Sequence, residues 1–329
     1  MLNVVQDTVI GNVRFNGIID FNGEDSVDNI GNTGSITVPK QLNLDGKAIT
    51  DVFKRGDITK VSLGYGDNLE PAFEGVVSSI NIDHPIRFDL SGYEWFLSQV
   101  NFSKIFPQGS SSKEIVTYVI NEVNKVYGLD FTVNITANSI DLPEQRYSNV
   151  SGLQIVSDLR KKYSIYSYFR GSVLYSGLKY PEFSDRKTFD FYLDGENGNT
   201  TANSLTYEVS DDIRVLVKAT SYITKDNELS TITVTIGDKG GKEIPYQGYN
   251  LTKEQLTAKA KDQIEEYKKD GYKGTFTTIG LPRVNHGDVV NLISTEYPER
   301  DGLYLVKSVN ISGTTDNGLS QVIELDLKV

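Results

Sequence analysis

The side chains that could do chemistry here begin with two histidines. His84 and His286 are far apart in the sequence, and each stands in a turn, one before a proline and one in Asn285-His286-Gly287-Asp288. A Ser-His-Asp triad or a two-histidine metal site would need the fold to bring further side chains to them. Neither histidine belongs to a nucleophile-elbow or H-E-x-x-H string. We therefore interpret both as polar surface residues.

Carboxylates are abundant, with 44 Asp and Glu residues, so composition alone allows a glycosidase-like pair. Glu94 beside Trp95 is the one candidate whose aromatic setting suits a sugar. We interpret Glu94 instead as an outward-facing neighbour of a core tryptophan. The acidic loop Asp194–Asn199 places glycine at loop position five and asparagine at six, whereas an EF-hand needs the reverse. It is interpreted as an ordinary loop.

Glycine-rich stretches provide no phosphate or dinucleotide motif. Gly64-Tyr65-Gly66 lacks the third glycine of a dinucleotide loop, and Gly237–Lys242 lacks the spacing of a phosphate loop. Both are predicted to be hairpin turns. The chain has no cysteine, which excludes thiol nucleophiles and zinc–cysteine sites. We expect no catalytic residue, no cofactor and no metal, and we predict that the protein is not an enzyme.

Composition indicates a folded chain of more than one domain. Its 329 residues are 38% hydrophobic and 23% charged, as in globular proteins. No apolar run is long enough to cross a bilayer, so no membrane insertion is predicted. The net charge of −11 argues against a surface that grips phosphate backbones, and we expect no sequence-specific nucleic acid partner.

An internal repeat organises the elements that must position these residues. A Gly-Asp turn opens an apolar strand twice, a hairpin follows, and the return strand carries the string V-x-S-[IV]-N-I. Repeats of this kind indicate duplicated structural units. The two copies of the string are Val77-Ser78-Ser79-Ile80-Asn81-Ile82 and Val306-Lys307-Ser308-Val309-Asn310-Ile311.

The periodicity of apolar residues divides the chain into three parts. Residues 1–98 alternate as short strands, including a predicted hairpin around Asn16-Gly17, and predict a first tube-like β-barrel. Residues 99–182 contain two helices, started by Ser111 with Glu114 and by Ser151 with Gln154, and predict an inserted α/β domain. Residues 183–329 return to strands and predict a second barrel, with a helix at about 252–270. The fold class is mainly β with an α/β insertion.

These features resemble the baseplate hub proteins of contractile phage tails and phage-tail-like bacteriocins, the late control protein D family of the defective-prophage type. The resemblance covers nearly the whole chain. Its strongest strings are "SLGYGDNLEPAFEGVVSSI" and "LPRVNHGDVVNLI…DGLYLVKSV". It implies two tube-like barrels with an inserted domain, assembled as a homotrimer between a hexameric tail tube and a threefold central spike.

The resemblance also implies partners and a location. The partners would be the tail tube or tube-initiator protein, the central spike, baseplate wedge proteins and the tape measure protein. The location would be the tail baseplate of a virion or tail-like particle assembled in the bacterial cytoplasm. Since the chain stops after the last predicted barrel strand, spike and cell-wall hydrolase are expected to be separate proteins. The alternatives are a tail-associated cell-wall-degrading enzyme and a glycan- or receptor-binding β module that uses the 19 tyrosines.

Two groups of residues are predicted to make the contacts of such a hub. Strands flanking each repeat would occupy corresponding positions about the axis and form the ring interface; their residues are Ile58, Val61, Leu63, Val289 and Leu292. Trp95 and Phe96 are predicted to form the hydrophobic core between the first barrel and the inserted domain.

Overall fold

A computed structural model describes residues 4–15, 17–39, 47–82, 85–136, 141–180, 186–225, 228–314 and 318–329. His84 lies outside the described residues. The chain is mainly β, as predicted, and thirteen of the strands in these ranges belong to one large sheet.

The first β unit is built entirely from antiparallel neighbours, in the order β2-β1-β5-β6-β7-β4-β3. Asn16 of the predicted Asn16-Gly17 hairpin lies outside the described residues. Of the two strands that it was predicted to join, β2 turns back onto β1 through Gly11, whose φ of 55° suits a tight turn, and β3 pairs with β4 and β22. The elements are β1 Val4–Ile10, β2 Val13–Phe15, β3 Asp20–Ser26, β4 Thr33–Val38, α1 Ile49–Val52, β5 Ile58–Tyr65, β6 Asn68–Asn81 and β7 Ile86–Ser91.

The middle part is a small α/β domain with its own core. Ser111 and Glu114 form the reciprocal capping box that the sequence predicts, whereas Ser151 caps its helix from one side only. The elements are α2 Glu94–Gln99, β8 Asn101–Phe106, α3 Ser112–Tyr127, β9 Thr132–Ile135, β10 Gln145–Ser151, α4 Gly152–Tyr163, β11 Tyr166–Arg170 and β12 Val173–Gly177.

The second β unit consists of six strands in the order β13-β21-β22-β23-β20-β14, extended by the short pair β15 and β19. Its strands are β13 Thr188–Tyr192, β14 Thr200–Asn203, β15 Thr206–Glu208, β19 Gly271–Lys273, β20 Thr275–Thr278, β21 Val289–Ile293, β22 Gly302–Thr314 and β23 Gly318–Lys328.

An insertion between β15 and β19 forms a third core of its own. The predicted helix starts at the Thr252–Gln255 capping box and packs on a sheet in which two strands flank β16. Gly237–Lys242 is therefore not a hairpin turn, because it joins two strands that both pair with β16. The elements are β16 Val215–Lys225, β17 Glu228–Gly237, β18 Lys242–Tyr249 and α5 Lys253–Tyr267.

The two β units share one strand order over five strands. The path β5-β6-β7-β4-β3 of the first unit matches the path β21-β22-β23-β20-β14 of the second. These strands also follow each other along the chain in the same sequence. The units differ in their first strand, because β1 is antiparallel to β5 whereas β13 is parallel to β21. The duplication is therefore clear in the five shared strands.

The Gly-Asp turns of the two units make the same hydrogen bonds. The Gly56 N–H donates to Val77 O, and the Gly287 N–H donates to Val306 O, both at 2.8 Å. Both glycines have φ values of the left-handed region, 91° and 79°. Each aspartate carboxylate accepts the backbone N–H three residues before it, that of Lys54 for Asp57 and that of Asn285 for Asp288.

The return strands match in equal detail. Each has a register shift between the valine and the last serine of the V-x-S string, from Val77 to Ser79 and from Val306 to Ser308. The hydroxyl of that serine then donates to an acidic side chain on the next strand, from Ser79 to Asp89 at 2.6 Å and from Ser308 to Glu324 at 2.7 Å. The repeated string thus occupies one structural position in both units.

Strands β3 and β22 join the two units into a single sheet. They pair antiparallel over seven residues, with Ser26 opposite Ser308 and Asp20 opposite Thr314. We call this pairing the seam. Side chains of both units, such as Phe21 and Ile323, belong to one hydrophobic core that crosses it. The two units therefore form one continuous β structure.

Candidate functional site

The strands predicted to form a ring interface lie inside the sheet. Both β5 and β21 are paired on both sides, and the side chains of Val61, Leu63, Val289 and Leu292 are buried. Only Ile58 is exposed, at 42%. The ring interface is a property of assembled copies, so it stays a prediction. Four of these five side chains, however, have no surface to present to a partner.

Trp95 and Phe96 lie where the middle domain meets the first β unit. Phe96 is buried in the middle domain's core, which also takes in Val76 from β6. The Trp95 ring stands edge-on to Phe96, with centroids 5.3 Å apart, and a Cβ added to Gly56 would lie 3.0 Å from it. Trp95 is only partly buried, because it covers this junction from outside.

Replacing Trp95 by Ala should therefore destabilise the protein moderately. Truncation of a fully buried tryptophan costs about 3–5 kcal/mol, and partial burial should reduce the loss to about 2 kcal/mol. Urea denaturation followed by far-UV circular dichroism measures the change, with Trp95→Phe as the milder control. A loss as small as that of the control would contradict a packing role for the indole.

Glu94 is not the outward-facing residue that the sequence suggests. Its carboxyl Oε2 is buried and has no hydrogen-bond partner among the described residues. Burial raises the pKa of Glu94 to about 7. The side chain occupies the space beside two glycines: a Cβ added to Gly31 would lie 1.4 Å from Oε2, and one added to Gly92 would lie 2.5 Å from it. The two glycines thus make room for the buried carboxyl group.

A cavity of about 580 Å³ adjoins Glu94 between the first β unit and helix α4. On its wall, the Arg160 guanidinium binds the carboxylate of Asp28 at 3.1 Å and lies over the ring of Tyr166 at 4.6 Å. Arg160 and Asp28 therefore pair with each other across the domain junction.

His286 is buried, so its interpretation as a surface turn residue is wrong. Its side chain is 4% exposed, and Nδ1 lies 2.7 Å from Oδ1 of Asp25 on β3. The backbone N–H of His286 also donates to the Asp25 carboxylate, at 3.4 Å. Burial by itself would raise the pKa of Asp25, but the charge and hydrogen bonds of His286 outweigh it and lower this pKa. This pair fastens the second unit to the first.

The middle domain contributes two side chains to the same place. The ring of Tyr168 meets that of His286 edge-on at 4.9 Å, and Nη2 of Arg170 lies 3.6 Å from Oδ1 of Asp288. Asp288 is fully buried, and burial raises its pKa. A cavity of about 260 Å³ here is lined by all three parts of the chain, including Phe73, Arg170 and His286. We call the side chains of Asp25, Tyr168, Arg170, His286 and Asp288 the junction cluster.

The Asp194 carboxylate of the acidic loop accepts hydrogen bonds from neighbouring residues of the same chain. Asp194 accepts hydrogen bonds from the hydroxyl of Ser294 at 2.6 Å and from the backbone N–H of Thr295 at 2.6 Å. Across the described ranges, no cluster of three or more His, Asp or Glu side chains could hold a metal ion. In the same residues, no helix has both the length and the apolar character needed to cross a membrane.

Sequence reasoning missed the junction cluster and the seam. The seam had one available signal, since the repeated string makes β22 a counterpart of β6. No such signal exists for Asp25, because an acidic residue in an alternating strand is typical of a solvent-facing position.

Several solved structures have a fold similar to that of this chain. A tail protein from Neisseria meningitidis is 12% identical and superposes with a TM-score of 0.65, covering 99% of this chain and 97% of its own. The fold is that of phage tail proteins. The 43 kDa tail protein of prophage MuSo2 from Shewanella oneidensis is 15% identical with a TM-score of 0.62, covering 98% of this chain and 97% of its own.

A type VI secretion component is also similar. The Escherichia coli c3393 protein, described as structurally similar to bacteriophage tail proteins, is 11% identical with a TM-score of 0.56, covering 97% of this chain and 74% of its own. No family model and no curated relative matches the sequence. The likeness therefore shows the fold of the whole chain, including its order of parts.

Proposed function

We propose that this protein is a structural, non-enzymatic hub of the baseplate in a phage tail or tail-like particle. Three copies would form an adaptor between a hexameric tail tube and a threefold central spike. The observation that carries the proposal is the duplicated β unit, with the same path of five strands in each copy. Three chains with two such units present six similar units, which suits a sixfold partner on one face and a threefold partner on the other.

The similarity to tail proteins across 97% or more of the chain supports a tail role. In this role the chain would contact the tail tube or tube-initiator protein, the spike, the baseplate wedges and the tape measure protein. Assembly would take place in the bacterial cytoplasm before the particle leaves the cell.

The proposal also fits the structural role of the polar side chains in the junction cluster. Asp25 pairs with His286 and Arg170 pairs with Asp288, and these two pairs tie three parts of one chain together. A rigid adaptor needs such ties, because loads on a tail must pass through fixed domain positions. A cell-wall-degrading enzyme would instead need reactive groups that reach a substrate.

Mass measurement of the particle provides the test. Native mass spectrometry of disassembled particles, or of the chain expressed with its tube and spike partners, should give three copies per assembly. A purified chain should release no peptidoglycan fragments, and a lysozyme sample serves as the positive control. A dimer, or reproducible peptidoglycan release by the chain, would contradict the proposal.

A further inference from the structure

The cavity beside Glu94 has the size and the setting of a small-molecule site. Its volume of about 580 Å³ lies within the roughly 300–1,000 Å³ of ligand pockets. One wall is the connection between β3 and β4, and the facing wall is helix α4 together with Tyr166 of β11. The cavity therefore lies where the first β unit meets the middle domain, a common place for ligand sites.

The cavity wall combines apolar side chains with a few polar ones. Ile30 and Leu153 are partly buried, because they pack on the core of the middle domain and also line the cavity. Thr33 and Ser157 add hydroxyl-bearing residues to the lining. Such a wall suits a small molecule that has an apolar body and one polar group.

Two acidic residues line the cavity, and the carboxylate of Asp28 already has cationic partners. Its oxygens lie 3.1 Å from Arg160, 3.8 Å from Lys179 and 4.0 Å from Lys307. The Arg160 guanidinium also donates to the backbone carbonyl of Asp28. Asp28 and Arg160 are thus paired with each other at the wall.

The carboxyl group of Glu94 has no cationic partner. Among the residues that the structure describes, none donates a hydrogen bond to its buried Oε2, and no Lys, Arg or His lies within ion-pair distance. The backbone N–H groups of Gly92 and Glu94 are the only groups that favour its charged form. Lys161, the remaining charged residue of the lining, is exposed, so water screens its charge.

This carboxyl group weakens the fold, yet the surrounding backbone leaves space for it. A buried acid without a partner opposes folding wherever it is ionised. The Oε2 atom nevertheless occupies the places that a Cβ would take at Gly31 and at Gly92. An ionisable group that burial perturbs, and that no structural contact needs, is typical of a functional site.

We propose that this cavity binds a small molecule that carries an ammonium group on an apolar body. The ammonium lies against Oε2 of Glu94 and supplies the positive charge and the N–H donors that this oxygen lacks. The apolar body lies against Ile30 and Leu153. The site goes beyond the proposed hub role and does not depend on it.

Three probes with one apolar body test the class of ligand. Benzylamine, benzyl alcohol and benzoate share a ring and differ in the group that would meet Glu94. Isothermal titration calorimetry of the purified full chain at pH 8 should show that benzylamine binds at least about tenfold more tightly than the other two, since an ion-paired hydrogen bond is worth about 1.5–3 kcal/mol. Equal binding of the three probes, or no benzylamine binding up to about 10 mM, would overturn the proposal.

The variant Glu94→Gln tests the residue. Glutamine keeps the shape of the side chain and removes its charge, so benzylamine should lose about tenfold in affinity or more, whereas benzyl alcohol should bind as before. Glu299→Gln is the matched control, because Glu299 is exposed, and it should leave all three affinities unchanged. Thermal melts followed by circular dichroism check that both variants are folded. Unchanged benzylamine binding by Glu94→Gln would overturn the proposal.

Proton release provides a readout that a packing role for Glu94 would not give. The folded pKa of Glu94 is about 7, so the group is mostly protonated at pH 6 and ionised above pH 8. An ammonium that binds against it favours the ionised form and should release up to about one proton per ligand at pH 6 and almost none above pH 8. Calorimetry in two buffers of different ionisation enthalpy measures this release. Binding at pH 6 without proton release, or with equal release by Glu94→Gln, would contradict the contact between ammonium and carboxylate.

Discussion

Replacing Asp25 by Ala should lower the free energy of unfolding at pH 7 by about 2 kcal/mol, since leaving a buried hydrogen-bonding group without its partner costs about 1–3 kcal/mol. The pair joins β3 of the first unit to the Gly-Asp turn of the second, with Nδ1 and Oδ1 at 2.7 Å. Removal of the carboxylate leaves His286 buried beside Tyr168 without its partner. The loss should therefore appear as a weakened connection between the two β units.

The pH dependence of this effect has a definite sign. The pKa of Asp25 is lowered in the folded protein, so its carboxylate stabilises the fold above its ordinary pKa of 3.8. This contribution disappears as the pH falls through the lower, folded pKa. The difference between wild type and Asp25→Asn should be largest near neutral pH and shrink in acid. Arg170 and Asp288 are the other charged side chains that face the Asp25–His286 pair.

Urea denaturation at several pH values, combined with a double-mutant cycle of Asp25→Asn and His286→Ala, measures the coupling. Glu74→Gln is the control, because the Lys60–Glu74 pair is exposed, at 58% and 36%, and should contribute no more than about 1 kcal/mol. A coupling free energy between Asp25 and His286 of no more than about 1 kcal/mol, the size expected for the exposed pair, would show that this contact does not stabilise the connection between the two units.

Replacing Glu94 by Gln should stabilise the protein at pH 8 by up to about 3 kcal/mol and leave it nearly unchanged near pH 4. The pKa of Glu94 rises from 4.5 to about 7 on folding, because the carboxyl group is buried. One pKa unit corresponds to about 1.4 kcal/mol, which gives the size of the effect. Between these two pKa values, the folded state keeps a proton that the unfolded state releases.

Wild-type stability should therefore fall as the pH rises from 4.5 to 7 and level off above it. Glutamine retains the shape of the neutral acid and removes this slope. Denaturation midpoints of both proteins across this range provide the measurement, and Glu299→Gln, whose carboxylate is 66% exposed, is the control. Parallel curves for wild type and Glu94→Gln would contradict the buried position of the carboxyl group.

Local structure could be predicted wherever its cause lies within a few residues. The capping boxes at Ser111 and Thr252 start helices α3 and α5 as the sequence indicates, because their hydrogen bonds span three residues. The Gly-Asp turns and the repeated string likewise predicted matching strands. The pairing of β2 with β1 could not be predicted in this way, because it depends on which strand lies beside β2 in the sheet.

The candidate site was less accessible to sequence reasoning. His286 in a polar turn and Glu94 beside a tryptophan both have the local pattern of exposed residues. Their burial arises from distant segments: β3 and β11 cover His286, and Gly31 makes the space that Glu94 fills. Sequence periodicity reports the two faces of one element and contains no information about what packs on them.

The sequence by itself determined the mainly-β class, the inserted α/β segment and the duplication, because periodicity, caps and turns act over short distances. Only the tertiary structure decided that the two units share a seam and that β5 and β21 are interior strands. Pairing between β3 and β22 joins residues far apart in the chain, with Ile311 opposite Gly23. Such a choice is made by the packing of the whole sheet and not by either strand alone.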